Sequence, residues 1–154
     1  GQLALALARL DPSRPVVVEA ESAKVGECRL PPKLWRAMVD APRIAIAAPR
    51  AARAEYLTRA YADLVADRER LDAIVASLRP LHAADVIAGW RAMVAAGAFT
   101  ALADSLMERH YDPRYGKHRA RMAGEVTEIE ASALAETDLA ALADRVAAAV
   151  HSRA

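Results

Sequence analysis

The chain has 154 residues, 55% hydrophobic, 27% charged and only 5% aromatic, and its 21 Lys and Arg against 20 Asp and Glu leave a net charge of +1. That length fits one domain, long enough to bury about two-thirds of the surface its unfolded form exposes. The charge balance excludes a uniformly basic polyanion binder and leaves room only for local basic patches, while low net charge with ample Leu, Val and Ile excludes disorder.

The single cysteine, Cys28, excludes an internal disulfide framework and any multi-cysteine zinc site. No apolar run reaches the ~18–20 residues of a membrane span. The opening LALALARL lacks a basic flank and a small-residue exit, so no signal peptide is expected and the chain reads as cytoplasmic. Gly1 standing directly before a helical pattern reads as a processed or cut N-terminus.

In chain order, residues 3–10 read as a helix end, stopped by Asp11-Pro12-Ser13-Arg14-Pro15. Val16-Val17-Val18 follows, an unbroken β-branched run of the kind that marks a strand buried on both faces, predicted over 16–20. Pro31-Pro32 opens a short helix carrying Leu34, Trp35 and Met38. A second buried strand is predicted over 43–48, closed by Pro49. Helical periodicity then runs from Arg50 to about Arg79, with Ala54, Leu57, Tyr61, Leu64 and Val65 on one face and a break at Asp67. Pro80 ends it.

Two more helices, 84–96 and 98–109, hinge at Gly97, and His110 to Met122 reads as a charged, tyrosine-bearing loop. Residues 125–130 alternate like a strand, and Thr137 or Asp138 is placed to cap a last helix to Val150. Strands separated by helices predict parallel pairing in an α/β layer.

Glu19 and Glu21 stand two residues apart after the valine run, on one face if the strand continues, at the end where parallel sheets bind ligands. An apolar strand followed by an acid also resembles the Walker B pattern, whose acid holds Mg²⁺ or orients water. The alternative is a strand ending in a solvated acid. Arg50 and Arg53 fall in the first turn of a helix, where cations oppose the dipole unless an anion offsets them. A phosphate would serve; so would nothing, if they form a solvated face beside a Glu55–Arg59 surface pair.

The segment from Arg109 to Arg121 interleaves basic residues with Tyr111 and Tyr115. Such a mixture can grip a phosphate backbone and stack on unpaired bases, or can be a solvated linker anchored by its tyrosines. Cys28 has no nearby His and reads as an incidental thiol, and the four histidines show no metal spacing. Asp63 and Asp67 share a helix face as solvated acids do, and Trp35 and Trp90 fall in apolar stripes as core residues. No Walker A or dinucleotide glycine motif occurs.

Arg14-Pro-Val-Val-Val-Glu-Ala-Glu-Ser-Ala-Lys-Val-Gly26 with Leu30-Pro31, then Ala48-Pro49 with Arg53 and Tyr61, then Trp90, Gly97 and His110-Tyr111-Asp112-Pro113-Arg114-Tyr115, resembles the signature of the tRNA 2-selenouridine synthase family over roughly residues 5–115. Members of that family join a rhodanese-like domain to a P-loop domain. They replace the 2-sulfur of wobble 2-thiouridine in tRNA with selenium from selenophosphate, through an S-geranylated uridine made from geranyl diphosphate. The resemblance covers the later part of the P-loop domain. It therefore implies one domain over 1–154 with a helix-rich, incomplete P-loop NTPase-like parallel sheet, lacking Walker A and the rhodanese-like domain, which become missing partners.

On that resemblance Glu19 and Glu21 are the catalytic candidates, and Ser22, Lys24, Gly26 and Arg53 border a phosphate pocket. His110, Tyr111, Arg114, Tyr115, Lys117, Arg119 and Arg121 face tRNA, and no metal ligand is implied. The expected activity is that of a cytoplasmic tRNA-modifying transferase, inactive as this chain alone, with no cofactor of its own and no membrane contact. The alternatives are a fragment of a P-loop small-molecule kinase or ATPase, and a non-enzymatic helical interaction domain.

Overall fold

The structure, a computed structural model, describes residues 1–19 and 22–152. Its elements in order are α1 (Gln2–Ala8), β1 (Lys24–Val25), β2 (Cys28–Arg29), α2 (Pro32–Asp40), β3 (Arg43–Ala47), α3 (Arg50–Ala60), α4 (Ala62–Ala66), α5 (Arg68–Ser77), α6 (Ala84–Ala96), α7 (Phe99–Leu106), α8 (Asp112–Arg119), β4 (Val126–Glu130) and α9 (Glu136–His151). A 3₁₀ turn, Arg79–Leu81, precedes α6, and a π-helical turn, Met107–Tyr111, joins α7 to α8.

β3 and β4 pair in parallel, Arg43 opposite Val126 through Ala47 opposite Glu130. The crossover between them carries every helix from α3 to α8, as parallel pairing requires. The result is a helix-rich α/β chain. β1 and β2 make only a two-step antiparallel hairpin around Gly26-Glu27.

The valine run departs from expectation. Residues 16–19 belong to no strand, and Val16, Val17 and Val18 are 53%, 69% and 53% exposed. A strand exists only where a neighbour offers an edge, and none of the described strands pairs with this segment. Val17 instead lies along a shallow cleft between Ile46 of β3 and the apolar side of α9.

The core is double. One part is helical: Leu71 and Val75 of α5, Ile87, Trp90 and Val94 of α6, and Leu102 of α7. The other seals the sheet, with Ile129, Ala131 and Leu142 buried and Ile44, Leu134 and Val146 packed against them. Local signals punctuate the helical part as the sequence predicts. Asp67 caps α5 by accepting from the Arg70 amide at 3.0 Å, and Gly97 ends α6 in the left-handed region at φ 71°. α9 starts at Glu136, two or three residues earlier than expected, and neither Thr137 nor Asp138 caps it; its N-cap is Ala135. Arg59 donates to the Leu134 carbonyl at 2.7 Å rather than pairing with Glu55.

The expected loop from 110 to 122 is mostly helix. Proline sits in the first turn of α8, where its missing N–H costs nothing. Asp112 lies at the positive end of the helix dipole, and Lys117, His118 and Arg119 at the negative end. The same Pro, Gly and charge that read as loop punctuation are well placed for a helix. Its C-terminus is tied down from β3. Arg43 donates from Nη1 to the Arg119 carbonyl at 3.3 Å and from Nη2 to those of Met122 and Gly124 at 3.2 and 3.3 Å.

Candidate functional site: a tyrosine-lined groove beside a basic helix

Pro49 launches α3 straight from the end of β3, so Arg50 and Arg53 emerge in its first turn. The anions that offset them are the protein's own. Arg53 makes a bidentate pair with Asp112, Nη1 and Nη2 each 2.8 Å from a carboxylate oxygen. Arg50 donates from Nε to Asp104 at 2.7 Å and approaches Glu108 at 3.1 Å through Nη1. Asp104, Glu108 and Asp112 recur every fourth residue through α7, the π-helical turn and α8, so one acidic stripe faces the start of α3. The hydrogen bond from Arg53 holds the Asp112 carboxyl below the usual carboxylate range, with burial opposing it in part. The same bond raises the Arg53 guanidinium, again against burial.

Next to this pair opens a groove of about 740 Å³ between α3, α4, α5, α7 and α8. Its walls are aliphatic apart from the Arg53–Asp112 pair, Thr58, Phe99 and four tyrosines: Tyr56, Tyr61, Tyr111 and Tyr115. Those are all the tyrosines in the chain. Size and lining are those of a site for a largely apolar ligand. Tyr111 and Tyr115, one turn apart, stack with centroids 6.3 Å apart.

The segment from Tyr111 through α8 to Arg121 therefore serves two surroundings. Tyr111, Asp112 and Tyr115 line the groove, while Arg114, Lys117, Arg119 and Arg121 are exposed. Among the described residues, none of these four cations is in an ion pair. A cationic ridge with aromatic rings at its edge has the chemistry for a phosphate backbone and an unstacked base.

The other candidates are dispersed. His110 is buried, 6% exposed, and its ring faces His82 rather than solvent. Glu19 is exposed after the unpaired valines and belongs to no strand, and Glu21 lies outside the described residues. Ser22, Lys24 and Gly26 occupy an exposed hairpin where the Ser22 hydroxyl accepts from the Lys24 amide at 3.0 Å. No hydrogen bond or ion pair joins that hairpin to Arg53 among the described residues. Cys28 is exposed and free. Among the described residues no group of three His, Cys, Asp or Glu is placed to hold a metal.

Residue reading missed Tyr56, Asp104 and Glu108. The four-residue acidic spacing was a usable signal for the last two, whereas nothing local announces that Tyr56 and Tyr111 share a wall.

A family model described as the tRNA 2-selenouridine synthase AAA domain matches residues 1–79, just over half of the 154 residues. The chain belongs to that family. No curated protein and no solved structure matches it. Membership makes it part of a family of tRNA-modifying enzymes concerned with 2-selenouridine. The matched segment carries the valine run, α2, β3 and one wall of the groove, and the opposite wall with the basic helix follows it in the chain. Among the described residues no helix is long and apolar enough to cross a membrane.

Proposed function

We propose that this selenouridine synthase-family chain supplies the substrate-holding part of a transferase that replaces the sulfur of wobble 2-thiouridine in tRNA with selenium, through an S-geranylated uridine. The observation that carries the reading is the double use of α8. Tyr115 of α8 and Tyr111 just before it wall an apolar groove, and the cations from Arg114 to Arg121, in no ion pair among the described residues, are exposed, so an apolar chain and a nucleic acid would meet at Tyr111 and Tyr115.

In this reading the groove holds the ten-carbon chain of geranyl diphosphate, which gains by leaving water in proportion to the apolar area buried. tRNA lies across Arg114, Lys117, Arg119 and Arg121, and its wobble base stacks on an exposed tyrosine. The diphosphate and selenophosphate anions need cations. Arg53 is committed to Asp112, so it serves them only if that pair opens. The lysine and hydroxyl of the exposed hairpin, Lys24 and Ser22, with Gly26 between the strands, are the other candidates, and Glu19 and Glu21 those for proton or metal handling. The parallel β3–β4 pair is the nucleus of a P-loop-like sheet, with a Walker A strand and a rhodanese-like domain as partners for full turnover. The chain alone is then inactive.

Mass spectrometry of wobble uridines tests the reading. Deleting the gene should abolish 2-selenouridine, and the intact gene should restore it. Selenouridine persisting in the deletion strain would refute the proposal. Restoration by a gene encoding Tyr111→Ala with Tyr115→Ala at wild-type levels would remove the groove from the reaction.

A further inference from the structure

Between the helical core and the groove runs a row of rings. Trp90, 1% exposed, meets His82 edge-on with centroids 4.8 Å apart. His82 meets His110 at 5.1 Å, His110 meets Tyr111 edge-on at 4.8 Å, and Tyr111 stacks on Tyr115. The middle of the row is a hydrogen bond, His82 Nε2 to His110 Nδ1 at 2.8 Å, in which one ring donates and the other accepts. The indole at the core end is fixed in turn, donating to the Ser105 hydroxyl at 2.9 Å.

His110 lies in the π-helical turn, between Met107 and Tyr111, which both line the groove. Such turns add a residue to the helical ring and are frequent at functional sites. Neither histidine lines the groove.

We infer that His82 is a positioning residue for the groove: through its hydrogen bond to His110 it holds the π-helical turn so that Tyr111 and Asp112 stand in the groove wall. The inference rests on the groove being the isoprenoid site proposed above. It makes the wall dependent on a connector that touches no ligand. It also makes the wall sensitive to acid: a pair with one charged ring keeps a single proton between the facing nitrogens, but with both rings charged two N–H groups face each other and the bond is lost.

The groups around the pair sharpen this. Burial lowers the tendency of His110 to protonate, and Arg114 of α8 and His82 add to the effect. α6 contributes neutral Trp90 and α7 neutral Ser105. The nearby carboxylates are engaged elsewhere, Asp104 and Glu108 with Arg50 and Asp112 with Arg53. Because the folded-state value of His110 is depressed, the bond is fully made above the ordinary histidine value of 6.5 and is lost only as pH falls through that lower folded value with both rings charged.

Isotope-edited NMR of the full chain, with geranyl diphosphate as the groove probe, tests the inference from about pH 8 to about pH 5. In the wild type the Tyr111 ring signals should move with the midpoint at which the second ring of the His82–His110 pair takes its proton. Probe affinity should fall about two- to tenfold, the range one net hydrogen bond supports. His82→Ala should show that loss already at neutral pH. His82→Gln, whose amide can bond His110 without titrating, should restore neutral-pH affinity and weaken the acid response. Tyr111 signals that stay fixed while both rings titrate would overturn the inference. If His82→Ala does not fold, the wild-type pH series and the Gln variant decide it. A probe that binds at no pH, with Tyr111 still following His110, would refute the isoprenoid reading and leave the positioning role standing.

Discussion

The Arg53–Asp112 pair is the most direct mechanical link between α3 and α8, and removing it should be measurable in stability. Both side chains are about one-third exposed, at 35% and 32%, so neither the surface nor the buried limit applies. Exposed pairs contribute about 0.2–1 kcal/mol, and hydrogen bonds to charged groups about 1.5–3 kcal/mol. A bidentate pair at 2.8 Å on both arms, screened on one side, should show a coupling of about 1–2 kcal/mol in a double-mutant cycle of Arg53→Ala and Asp112→Ala. For a chain of this size that corresponds to a fall in Tm of roughly 2–8 °C. The pH dependence has a defined sign. Asp112 is depressed below its ordinary 3.8 in the folded state, so the coupling is present above that value and lost as pH falls through the folded one. Asp112→Asn should flatten the acid limb of the stability curve. Coupling below about 0.3 kcal/mol, the additivity error, or an acid limb unchanged in Asp112→Asn would refute the reasoning. The same variant reports on phosphate binding: if Arg53 leaves Asp112 to take diphosphate, inorganic pyrophosphate should bind more tightly to Asp112→Asn than to wild type.

Gly124→Ala should destabilise by about 1–3 kcal/mol, because a Cβ there would come within 1.8 Å of the Ala41 backbone carbonyl oxygen; an unchanged thermal melt would show that the turn yields freely. Trp90→Phe removes a buried ring and the donor to Ser105, and should cost about 2–3 kcal/mol by denaturant titration. Neutralising Arg114, Lys117, Arg119 and Arg121 in the full enzyme should flatten the slope of log K for tRNA against log salt by roughly 0.9 per lost contact on a duplex-like backbone. An unchanged slope would take α8 out of the tRNA interface.

What the sequence by itself determined is local or short in range. Pro31, Pro49, Asp67 and Gly97 mark helix ends through their own backbone chemistry, so the starts of α2, α3 and α5 and the whole of α6 were legible, whereas the break at Tyr61 between α3 and α4 and the end of α7 at Leu106 were not. The runs that became β3 and β4 were legible as strands, and their separation by helices as parallel pairing. The family was legible too, since its signature is a string of residues. Two of the local readings that failed show how far such signals depend on context. Val16–Val18 has every property of a buried strand except an edge to pair with. α8 has loop-like composition, but its Pro, acid and bases stand at the helix positions that favour them.

The site was decided by tertiary structure. Arg53 lies 59 residues from Asp112 and His82 lies 28 from His110, and no periodicity encodes such distances. First-turn arginines do announce a need for an anion, because the helix dipole opposes them. Whether a ligand or a carboxylate meets that need depends on which helix packs alongside, and here α7 and α8 bring Asp104, Glu108 and Asp112. The four tyrosines converge for the same reason. Each is placed by its own helix, but the groove they share exists only once the helices have packed.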